Sequence, residues 1–570
     1  MAEQLKKTDV VLLGIGAAGG IAAYVLTQAG LNVVGIEAGG RLTGRDQKLN
    51  ELAEPFHYNV FGRPKANREI PMWRPNASTR AIPSTAGTNA TPMMNAVGGT
   101  SIHYATESWR LNPWNFKMRS ETIKRYGAGA IPKGSTVADW PVTYEELEPY
   151  YDKVEYEIGV SGKAGNLRGK IDPAGNIFEG ARNREYPLPP LRRSGFTDLM
   201  NAAGKRLGWH PFPNPSSAHS EAFRNTPACT YCSSCINGCF IGAKGSTDMH
   251  VIPAAEATKK FSIVTGARVT RIETDNAGRA TGVTYLSNGR EFFQPASVVV
   301  LGTFVYENTR LLLLSTSKAY PNGLSNNHGQ VGRNYMAHNS SQAVLALFGG
   351  RKLNRWGGLS AQGEALDDWA DDNFDHSGLG FIGGGMVRTG MGQTPIASAN
   401  STPPSLQNWG SAWKSWLKAN ANSIAFANAQ CDTLSYEENF LDLDPTVRDP
   451  LGVPVIRITF DLKENEHRAA TFATEKVATW FKEAGATETW ATPLRPVTLP
   501  NHAYGGTRMG NDPETSVVDR WGVSHEVPNL AILGASTFPT CGARNPTQTV
   551  QALTWRSADH LIKNWKSIAR

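Results

Sequence analysis

The strongest constraint on the fold is a glycine-rich turn near the N-terminus. Residues 9–13 form an apolar run that predicts a buried strand, and Gly14, Gly16 and Gly19 follow it directly. Residues 20–29 then predict a helix. Glycines at such a turn let the backbone approach a pyrophosphate, and the N-terminus of the helix favours the phosphate charge. The segment therefore predicts a strand, a turn and a helix that bind a dinucleotide.

An acidic residue completes this pattern. A second apolar run, residues 31–36, ends at Glu37, which lies 23 positions after Gly14. A carboxylate at this point can accept hydrogen bonds from the ribose hydroxyls of adenosine, and its charge disfavours a 2′-phosphate. The unit does not separate FAD from NAD, but it predicts an α/β fold with a Rossmann-like domain.

Length and charge narrow the class of protein. A chain of 570 residues is too long for one ordinary core, so it predicts two large domains or one domain with large insertions. The formal net charge of +7 is spread without a long basic run, which argues against nucleic acid as a partner. Diffuse positive charge mildly favours an anionic membrane surface or an acidic protein partner.

The N-terminal residues show no recognisable targeting signal. Residues 1–8 lead straight into the predicted strand, with no hydrophobic signal core and no twin arginine. No run reaches the roughly 18 uncharged apolar residues that a membrane span needs. The sequence on its own predicts a cytoplasmic protein, and another compartment would require a partner that carries a signal or a trimmed leader.

Four of the six cysteines lie within eleven residues, at Cys229, Cys232, Cys235 and Cys239. This is the spacing of a bacterial ferredoxin run, in which thiolates hold an iron–sulfur cluster, although ferredoxins often have proline where this chain has Phe240. Zinc prefers two pairs separated by a longer loop. Disulfides between such near neighbours would be strained. Iron–sulfur binding is the favoured interpretation, with zinc, disulfides and free thiols left open.

A series of further motifs runs through the chain in a fixed order, at Val97-Gly98-Gly99-Thr100-Ser101 and at residues 298–302, 309–315, 331–334, 502–510, 517–519, 529–540 and 545–549. This series resembles the GMC (glucose–methanol–choline) flavoprotein oxidoreductases. The resemblance covers nearly the whole chain and is weakest at about residues 40–90 and 340–430. It decides between the two dinucleotides, because it implies that the bound cofactor is FAD.

Within that family, the cysteine run and residues 98–110 are most similar to the catalytic subunits of bacterial flavin sugar and sugar-acid dehydrogenases. Gluconate 2-dehydrogenase, fructose dehydrogenase, FAD glucose dehydrogenase and glucoside 3-dehydrogenase are examples. The resemblance implies oxidation of a sugar or sugar-acid hydroxyl to a carbonyl by hydride transfer to flavin N5.

The resemblance also implies a GMC-type fold of two domains. The Rossmann-like FAD-binding domain is expected to take residues 1–160, 220–320 and 497–570. A discontinuous substrate domain, a sheet backed by helices, is expected over residues 161–219 and 321–496. An apolar stripe predicts a helix over residues 464–484 in the second domain.

Two polar residues match the catalytic positions of the family. His502 is the candidate base, because an imidazole can take and return a proton near working pH. Asn545 would hold the substrate oxygen through its side-chain amide. The alternatives are that His502 is an ordinary polar loop histidine and that Asn545 mainly shapes the turn at Pro546.

Other positions match cofactor contacts of the family. These are Gly98, Gly99 and Ser101 in the second flavin motif, Val269 at the adenine, Ala535 and Ser536 near the ribityl and pyrophosphate groups, and Pro546 and Thr547 beside the flavin. His103 matches a histidine that some relatives join covalently to the flavin 8α-methyl group. A non-covalent histidine packed over the ring is the alternative.

The resemblance implies a route for the electrons. Relatives hold a three-iron, four-sulfur cluster with a C-x5-C-x3-C pattern, which Cys229, Cys235 and Cys239 reproduce. Cys232 leaves a four-iron cluster open. The implied partners are a small companion subunit and a cytochrome c subunit, which would hold the chain peripherally at the periplasmic side of the inner membrane.

Two features bear on the substrate. The polar stretch 388–408 predicts an exposed loop that could act as a lid. A sugar acid would require an arginine near the flavin, for which Arg508 and Arg544 are candidates, although both could be structural. Two competing functions stay open: an oxygen-using oxidase of the same fold, and a non-catalytic electron-transfer subunit, against which the intact His502 and Asn545 argue.

Overall fold

A computed structural model gives the architecture of the chain and describes residues 2–42, 70–84, 94–338, 341–392, 398–399, 401–494 and 500–570. Its strands are β1 Glu3–Gln4, β2 Thr8–Leu13, β3 Val33–Ile36, β4 Met72–Arg74, β5 Ile82–Pro83, β6 Asn166–Leu167, β7 Lys170–Ile171, β8 Phe212–Pro213, β9 Phe261–Val264, β10 Ala267–Thr274, β11 Ala280–Ser287, β12 Arg290–Leu301, β13 Met336–Ala337, β14 Ser341–Leu347, β15 Glu364–Leu366, β16 Gly385–Thr389, β17 Ile424–Cys431, β18 Phe440–Arg448, β19 Pro454–Thr459, β20 Glu488–Ala491, β21 Ala503–Tyr504 and β22 Leu530–Ile532.

The α-helices in the described part of the chain are α1 Ala17–Gln28, α2 Pro113–Phe116, α3 Met118–Tyr126, α4 Tyr144–Ile158, α5 Gly195–Arg206, α6 Val251–Ala257, α7 Val305–Leu314, α8 Gly410–Asn420, α9 Glu464–Glu483, α10 Thr547–Lys563 and α11 Trp565–Ile568. None of these helices has both the length and the apolar character to traverse a bilayer.

The largest sheet has eight strands and contains the predicted N-terminal unit. Strand β2 lies at its centre and pairs in parallel with β3 and β12. The sheet order is β10-β11-β12-β2-β3-β9, with β1 and β22 also paired to β12. The apolar residues of β2 are buried because helix α1 returns across the sheet, and the C-terminal helix α10 packs on α1. The predicted α/β fold is confirmed.

A second sheet of six strands, in the order β20-β14-β17-β16-β15-β8, stands apart from the first. Its strand β17 alternates small and larger residues, so Ala427 and Ala429 face helix α9 while Asn428 and Gln430 face the opposite side. Helix α9 confirms the helix predicted over residues 464–484, ending one residue earlier. The sheet therefore has an apolar face closed by a helix and a face that carries polar side chains.

The predicted domain limits stay predictions. The limit placed at residue 497 falls within 495–499, outside the described residues. The predicted exposed loop over 388–408 is wrong at its start, because Arg388 and Thr389 belong to strand β16 and are buried. Pairing of β16 with both β15 and β17 buries this polar segment. Positions 393–397 and 400 of that loop lie outside the described residues.

Candidate active site

A cavity of about 490 Å³ lies at the carboxyl ends of β2 and β3 and extends to the polar face of β16 and β17. Ligands bind at the carboxyl ends of parallel strands because the loops there diverge and leave a crevice. One end of the cavity is lined by the glycine turn, Glu37 and residues 267–270 of β10. The other end is lined by His338, Arg388, Asn428, Gln430, His502 and Asn545. We call these the nucleotide end and the substrate end.

The glycines of the N-terminal turn are required by close backbone contacts. Gly14 has φ of +78°, and a Cβ atom there would lie 2.8 Å from the Thr303 side chain. A Cβ on Gly19 would lie 2.0 Å from the carbonyl oxygen of Gly14, so helix α1 rests directly on the turn. Gly14 and Gly16 line the cavity, whereas Gly19 lies behind them. The turn at Gly14 and Gly16 thus presents backbone to the cavity, and the small residues Ala17 and Ala18 follow it along the wall.

The Glu37 carboxylate holds this turn in place. Its Oε2 accepts a hydrogen bond of 3.0 Å from the amide of Ile15, and its Oε1 accepts one of 2.9 Å from the amide of Gly39. Burial raises the pKa of Glu37, while the hydrogen bonds from the backbone amides lower it. Each oxygen retains a lone pair, so a ribose hydroxyl could still donate to this carboxylate.

The second glycine motif packs against the first. Gly98 has φ of 103° and donates from its amide to the carbonyl of Ile15. A Cβ on Gly99 would lie 2.8 Å from the Cα of Gly16. Ser101 donates to the carbonyl of Gly98 at 2.6 Å. Gly99 and Ser101 line the cavity, and Gly98 lies behind them.

His103 also lines the cavity and is 4% exposed. Burial, with the nearby charge of Lys244, lowers the pKa of His103 to about 4, so the imidazole is neutral at ordinary pH. Lys244 is itself buried, and its Nζ donates to the carbonyl of Ile102 at 2.7 Å and to that of Cys235 at 2.9 Å. This lysine, absent from the sequence-based candidates, ties the flavin motif to the cysteine loop.

Most of the remaining predicted cofactor positions meet the same cavity. Val269, Ala535, Pro546 and Thr547 line it. Ser536 does not, because its hydroxyl accepts a hydrogen bond of 2.9 Å from the Asn308 side chain behind the wall.

His502 and Asn545 lie together at the substrate end. The Nδ2 atom of Asn545 is 3.2 Å from Nε2 of His502. The Oδ1 atom of Asn545 faces the side-chain amide of Gln430 at 3.5 Å. This arrangement orients the Asn545 amide, since its oxygen faces the Gln430 donor and its NH₂ group faces Nε2 of His502.

A second histidine fixes the proton of His502. Nε2 of His338 faces the carbonyl of Gly542, so it carries a hydrogen and donates. Nδ1 of His338 is then an acceptor, and it lies 3.2 Å from Nδ1 of His502. Nδ2 of Asn545 can only donate, so Nε2 of His502 accepts in their 3.2 Å contact, and Nδ1 of His502 carries the hydrogen that faces His338. The geometry therefore selects the tautomer in which His502 can accept a proton.

Burial keeps both rings neutral. It lowers the pKa of His338 to about 4. Burial, followed by the charges of His338 and Arg388, holds the pKa of His502 well below its usual range. His502 is therefore neutral at ordinary pH, with an unprotonated nitrogen that can accept a proton.

The two arginines proposed from the sequence have other partners. Arg544 is buried against Asp367 and Asp371. Arg508 donates to the carbonyls of Thr136 and Thr515, and does not line the cavity. The arginine at the substrate end is Arg388, which the sequence placed in a loop.

The four clustered cysteines do not line the cavity, but their loop reaches it through Ile236. All four thiols are free and partly buried, and the loop turns at Tyr231 (φ 58°) and Ser233 (φ 66°). Burial raises the pKa of Cys235 to about 12, and the other three cysteines add to this effect, so the thiols share one environment. In the described part of the chain, no three or more His, Cys, Asp or Glu side chains converge as metal ligands.

The structure thus brings together most of the predicted cofactor and catalytic positions and adds His338, Arg388, Asn428, Gln430 and Lys244. The alternation of alanine with polar residues in β17 is a signal that could have revealed Asn428 and Gln430. No local pattern marks His338 or Arg388.

Comparison with known proteins points to one family. Residues 135–340 and 435–554 match the N-terminal and C-terminal segments described as GMC oxidoreductase. A gluconate 2-dehydrogenase flavoprotein of Pantoea cypripedii is 35% identical, over 98% of this chain and 94% of its own. A fructose dehydrogenase large subunit of Gluconobacter japonicus is 28% identical, over 99% and 100%. A 2-methyl-1,2-propanediol dehydrogenase of Mycolicibacterium austroafricanum is 29% identical, over 100% and 97%.

Solved structures share the fold. A pyridoxine 4-oxidase from Mesorbium loti superposes with a TM-score of 0.60 at 18% identity, covering 97% of this chain and 99% of its own. A mutated formate oxidase from Aspergillus oryzae, described as showing the effect of the mutation on FAD modification, superposes with a TM-score of 0.62 at 15% identity, covering 99% of both chains.

Proposed function

The chain belongs to the GMC oxidoreductase family, and from this premise we propose that it is an FAD-dependent dehydrogenase that oxidises a hydroxyl of a sugar or sugar acid to a carbonyl. The observation that carries the proposal is the contact between His502, Asn545 and His338 in the same cavity as the glycine turn. The names of the gluconate and fructose dehydrogenase relatives supply the substrate class.

The nucleotide end fits FAD. The glycine turn at Gly14 and Gly16 presents bare backbone, the N-terminus of α1 favours a pyrophosphate, and Glu37 offers acceptors to a ribose. His103, held neutral by burial, is the residue at which a covalent bond to the flavin would form. When bound, FAD supplies the acceptor for the hydride that leaves the carbinol carbon.

At the substrate end, the protein handles the hydroxyl proton. The Nε2 lone pair of His502, which faces Nδ2 of Asn545, takes the proton of the substrate hydroxyl, while the Nδ1–H of His502 keeps its hydrogen bond to His338 and orients the ring. Asn545 donates from Nδ2 to the substrate oxygen and holds it beside His502. His502 alone therefore has to change its protonation state.

We assign the electron outlet to an iron–sulfur cluster on Cys229, Cys235 and Cys239, with Cys232 as a possible fourth ligand. The thiol donors fit such a cluster in type, and Cys229 and Cys235 pack on one apolar cluster. A cluster supplies one-electron transfer between FAD and an acceptor such as a haem or a dye. The link from Cys235 through Lys244 to Ile102 supports this location, because it keeps the loop beside the cofactor cavity.

The proposal extends to partners. A small companion subunit and a cytochrome c subunit would receive the electrons and hold the protein at the periplasmic side of the inner membrane. Co-purification of a haem-containing subunit with the tagged chain from its own membranes supports this arrangement. Recovery of the chain in the cytoplasmic fraction without haem would contradict it.

The reaction itself is tested by comparing two acceptors. Purified protein with a measured FAD content is given a panel of sugars, polyols and sugar acids, with an artificial dye or with oxygen. A dehydrogenase reduces the dye and yields little peroxide, whereas an oxygen-using oxidase yields peroxide in proportion to substrate. Failure of every substrate to reduce the bound flavin would favour the non-catalytic alternative.

The cluster is tested by cysteine substitution. With three ligands, Cys235→Ser abolishes bound iron and acid-labile sulfide, whereas Cys232→Ser retains both. Loss in both variants indicates a four-iron cluster. Cys431→Ser, which alters a buried cysteine outside the run, is the control. Anaerobically purified protein that contains neither iron nor sulfide would refute the assignment of an iron–sulfur cluster to these cysteines.

A further inference from the structure

The polar face of the second sheet forms the wall of the substrate end. In the antiparallel pairing of β16 with β17, Arg388 lies directly opposite Asn428. Opposed residues point to the same side of a sheet, and so does Gln430, two positions further along β17. All three line the cavity. The wall therefore combines one cationic and two amide side chains.

The guanidinium of Arg388 is only partly used by the protein. The residue is 8% exposed, and its Nη1 forms an ion pair with Glu107, which also accepts a hydrogen bond of 2.9 Å from Trp109 Nε1. Nε of Arg388 is buried without a hydrogen-bond partner, and Nη2 donates to no acceptor among the described residues. Nε and Nη2 form one edge of the planar guanidinium group. Because Glu107 pairs with Nη1, the two donors of this edge have no acceptor among the described residues.

The neighbouring amide is also unused. Asn428 is half-buried, and its side chain makes no hydrogen bond with the described residues, whereas Gln430 donates to Ala543 and faces Asn545. A buried donor without an acceptor costs free energy, and a carboxylate is the partner that a two-donor guanidinium edge matches in geometry.

The other arginines that line the cavity form ion pairs with an acidic residue of the protein. Arg310 and Arg268 line the nucleotide side and form ion pairs with Asp449. Arg388, by contrast, is close enough to His502 for its charge to act on that ring. An anionic group held by Arg388 would thus belong to the molecule whose hydroxyl meets His502.

We propose that Arg388 and Asn428 form a carboxylate-binding subsite, so that the preferred substrate is a sugar acid and not a neutral sugar. The inference rests on the proposed function and deepens it by naming the charged group that is recognised. A singly charged carboxylate fits better than a dianionic phosphate, because Glu107 already pairs with the guanidinium and each further negative charge on the ligand would lack a balancing cation.

The test uses two open-chain substrates that differ at one carbon. Gluconate carries a carboxylate where sorbitol carries a hydroxymethyl group. Reduction of the FAD-loaded enzyme by each is followed anaerobically, and the ratio of kcat/KM for gluconate to that for sorbitol is measured. We expect the wild-type ratio to exceed one, and Arg388→Met to lower it by about 10- to 100-fold, the value of a lost charge-assisted hydrogen-bond pair.

Two further variants keep the test decisive. Arg388→Lys, which retains the charge but not the planar fork, is expected to fall between wild type and Arg388→Met, and it carries the test if the methionine variant does not fold. Arg351→Met removes an exposed arginine outside the cavity and is expected to keep the wild-type ratio.

The outcomes distinguish failure of the carboxylate-binding subsite from failure of the proposed dehydrogenase function. A wild-type enzyme that prefers sorbitol, or an Arg388→Lys variant with the wild-type ratio, overturns the subsite while the dehydrogenase proposal stands. A preference for 6-phosphogluconate over gluconate that is lost with Arg388 replaces the carboxylate with a phosphate and also overturns it. If no polyol or sugar acid reduces the flavin, the proposed function fails and the subsite fails with it.

Discussion

The two ends of the cavity are built in different ways. At the nucleotide end, the turn from Gly14 to Gly19 and the acid Glu37 come from one short segment, and what they present is mainly backbone. At the substrate end, His338 and His502 touch although they are 164 positions apart, and Arg388 comes from a different sheet. The first end is a local backbone conformation, and the second is an assembly of distant side chains.

This difference predicts different responses to mutation. A change at the nucleotide end should act through steric clash and loss of the cofactor. A change at the substrate end should leave the cofactor bound and act on proton transfer and orientation. The variants below test that division, from the largest expected effect to the smallest.

Removing the base should have the largest effect. His502→Ala is expected to lower kcat by about 10²- to 10⁴-fold with FAD still bound, because His502 is the imidazole that contacts Asn545 at the substrate end. Steady-state dye reduction and the flavin absorbance of the purified protein measure the two quantities. His467→Ala alters an exposed histidine and serves as the control. Turnover close to that of the wild type would remove His502 from the mechanism.

Adding a side chain where the glycine turn contacts helix α1 should have the second-largest effect. A Cβ on Gly19 would lie 2.0 Å from the carbonyl oxygen of Gly14, so Gly19→Ala must displace backbone. Overpacking of this kind costs about 1–3 kcal/mol of stability, and we expect FAD to be lost on gel filtration. Gly129→Ala, where a Cβ would meet nothing within 4 Å, should retain FAD. Full FAD occupancy in Gly19→Ala would show that the turn is less tightly set than its contacts indicate.

Removing the hydrogen-bond partner of His502 should lower kcat less than removing His502 itself. His338→Leu removes the acceptor for Nδ1–H of His502, and kcat is expected to fall about 10- to 100-fold, with a smaller change in KM. His338→Gln offers an oxygen acceptor in its place and should recover part of the rate. A merely structural role predicts equal losses in both variants, together with a pH profile of kcat that keeps the wild-type shape.

The smallest effect concerns acid stability. The pKa of His338 falls from 6.5 to about 4 on folding, so below pH 6.5 the unfolded chain binds a proton that the folded chain does not. The contribution of neutral His338 to the free energy of unfolding is full above pH 6.5. It is lost as the pH falls towards 4, by at most about 1.4 kcal/mol per pH unit. His338→Gln should flatten this acid limb in urea unfolding of the full chain. An identical slope in the variant would contradict the low pKa.

Much of the nucleotide end could be predicted from the sequence. Gly14, Gly16 and Glu37 belong to one strand–turn–helix–strand unit, and their conformation follows from the elements that they join. The side chain of Ser536 shows the limit even here: its hydroxyl accepts a hydrogen bond from Asn308 and does not line the cavity, whereas the sequence-based prediction concerned its backbone donor.

Parts of the substrate end required the structure. His502 and Asn545 could be identified because they lie in a recognisable motif, but the tautomer of His502 depends on His338. Arg388 was assigned to an exposed loop, since a polar stretch gives no sign that two neighbouring strands will cover it. For Arg544 the structure favours the structural role that the sequence left open, because this residue pairs with two aspartates from a distant part of the chain.

The sequence by itself determined the dinucleotide turn, the family and the residue types that carry the chemistry, because these depend on short segments with fixed backbone geometry. Only the tertiary structure decided which nitrogen of His502 is the acceptor and which arginine lines the substrate end of the cavity. Those properties depend on hydrogen bonds and burial between segments that the chain brings together only when it folds.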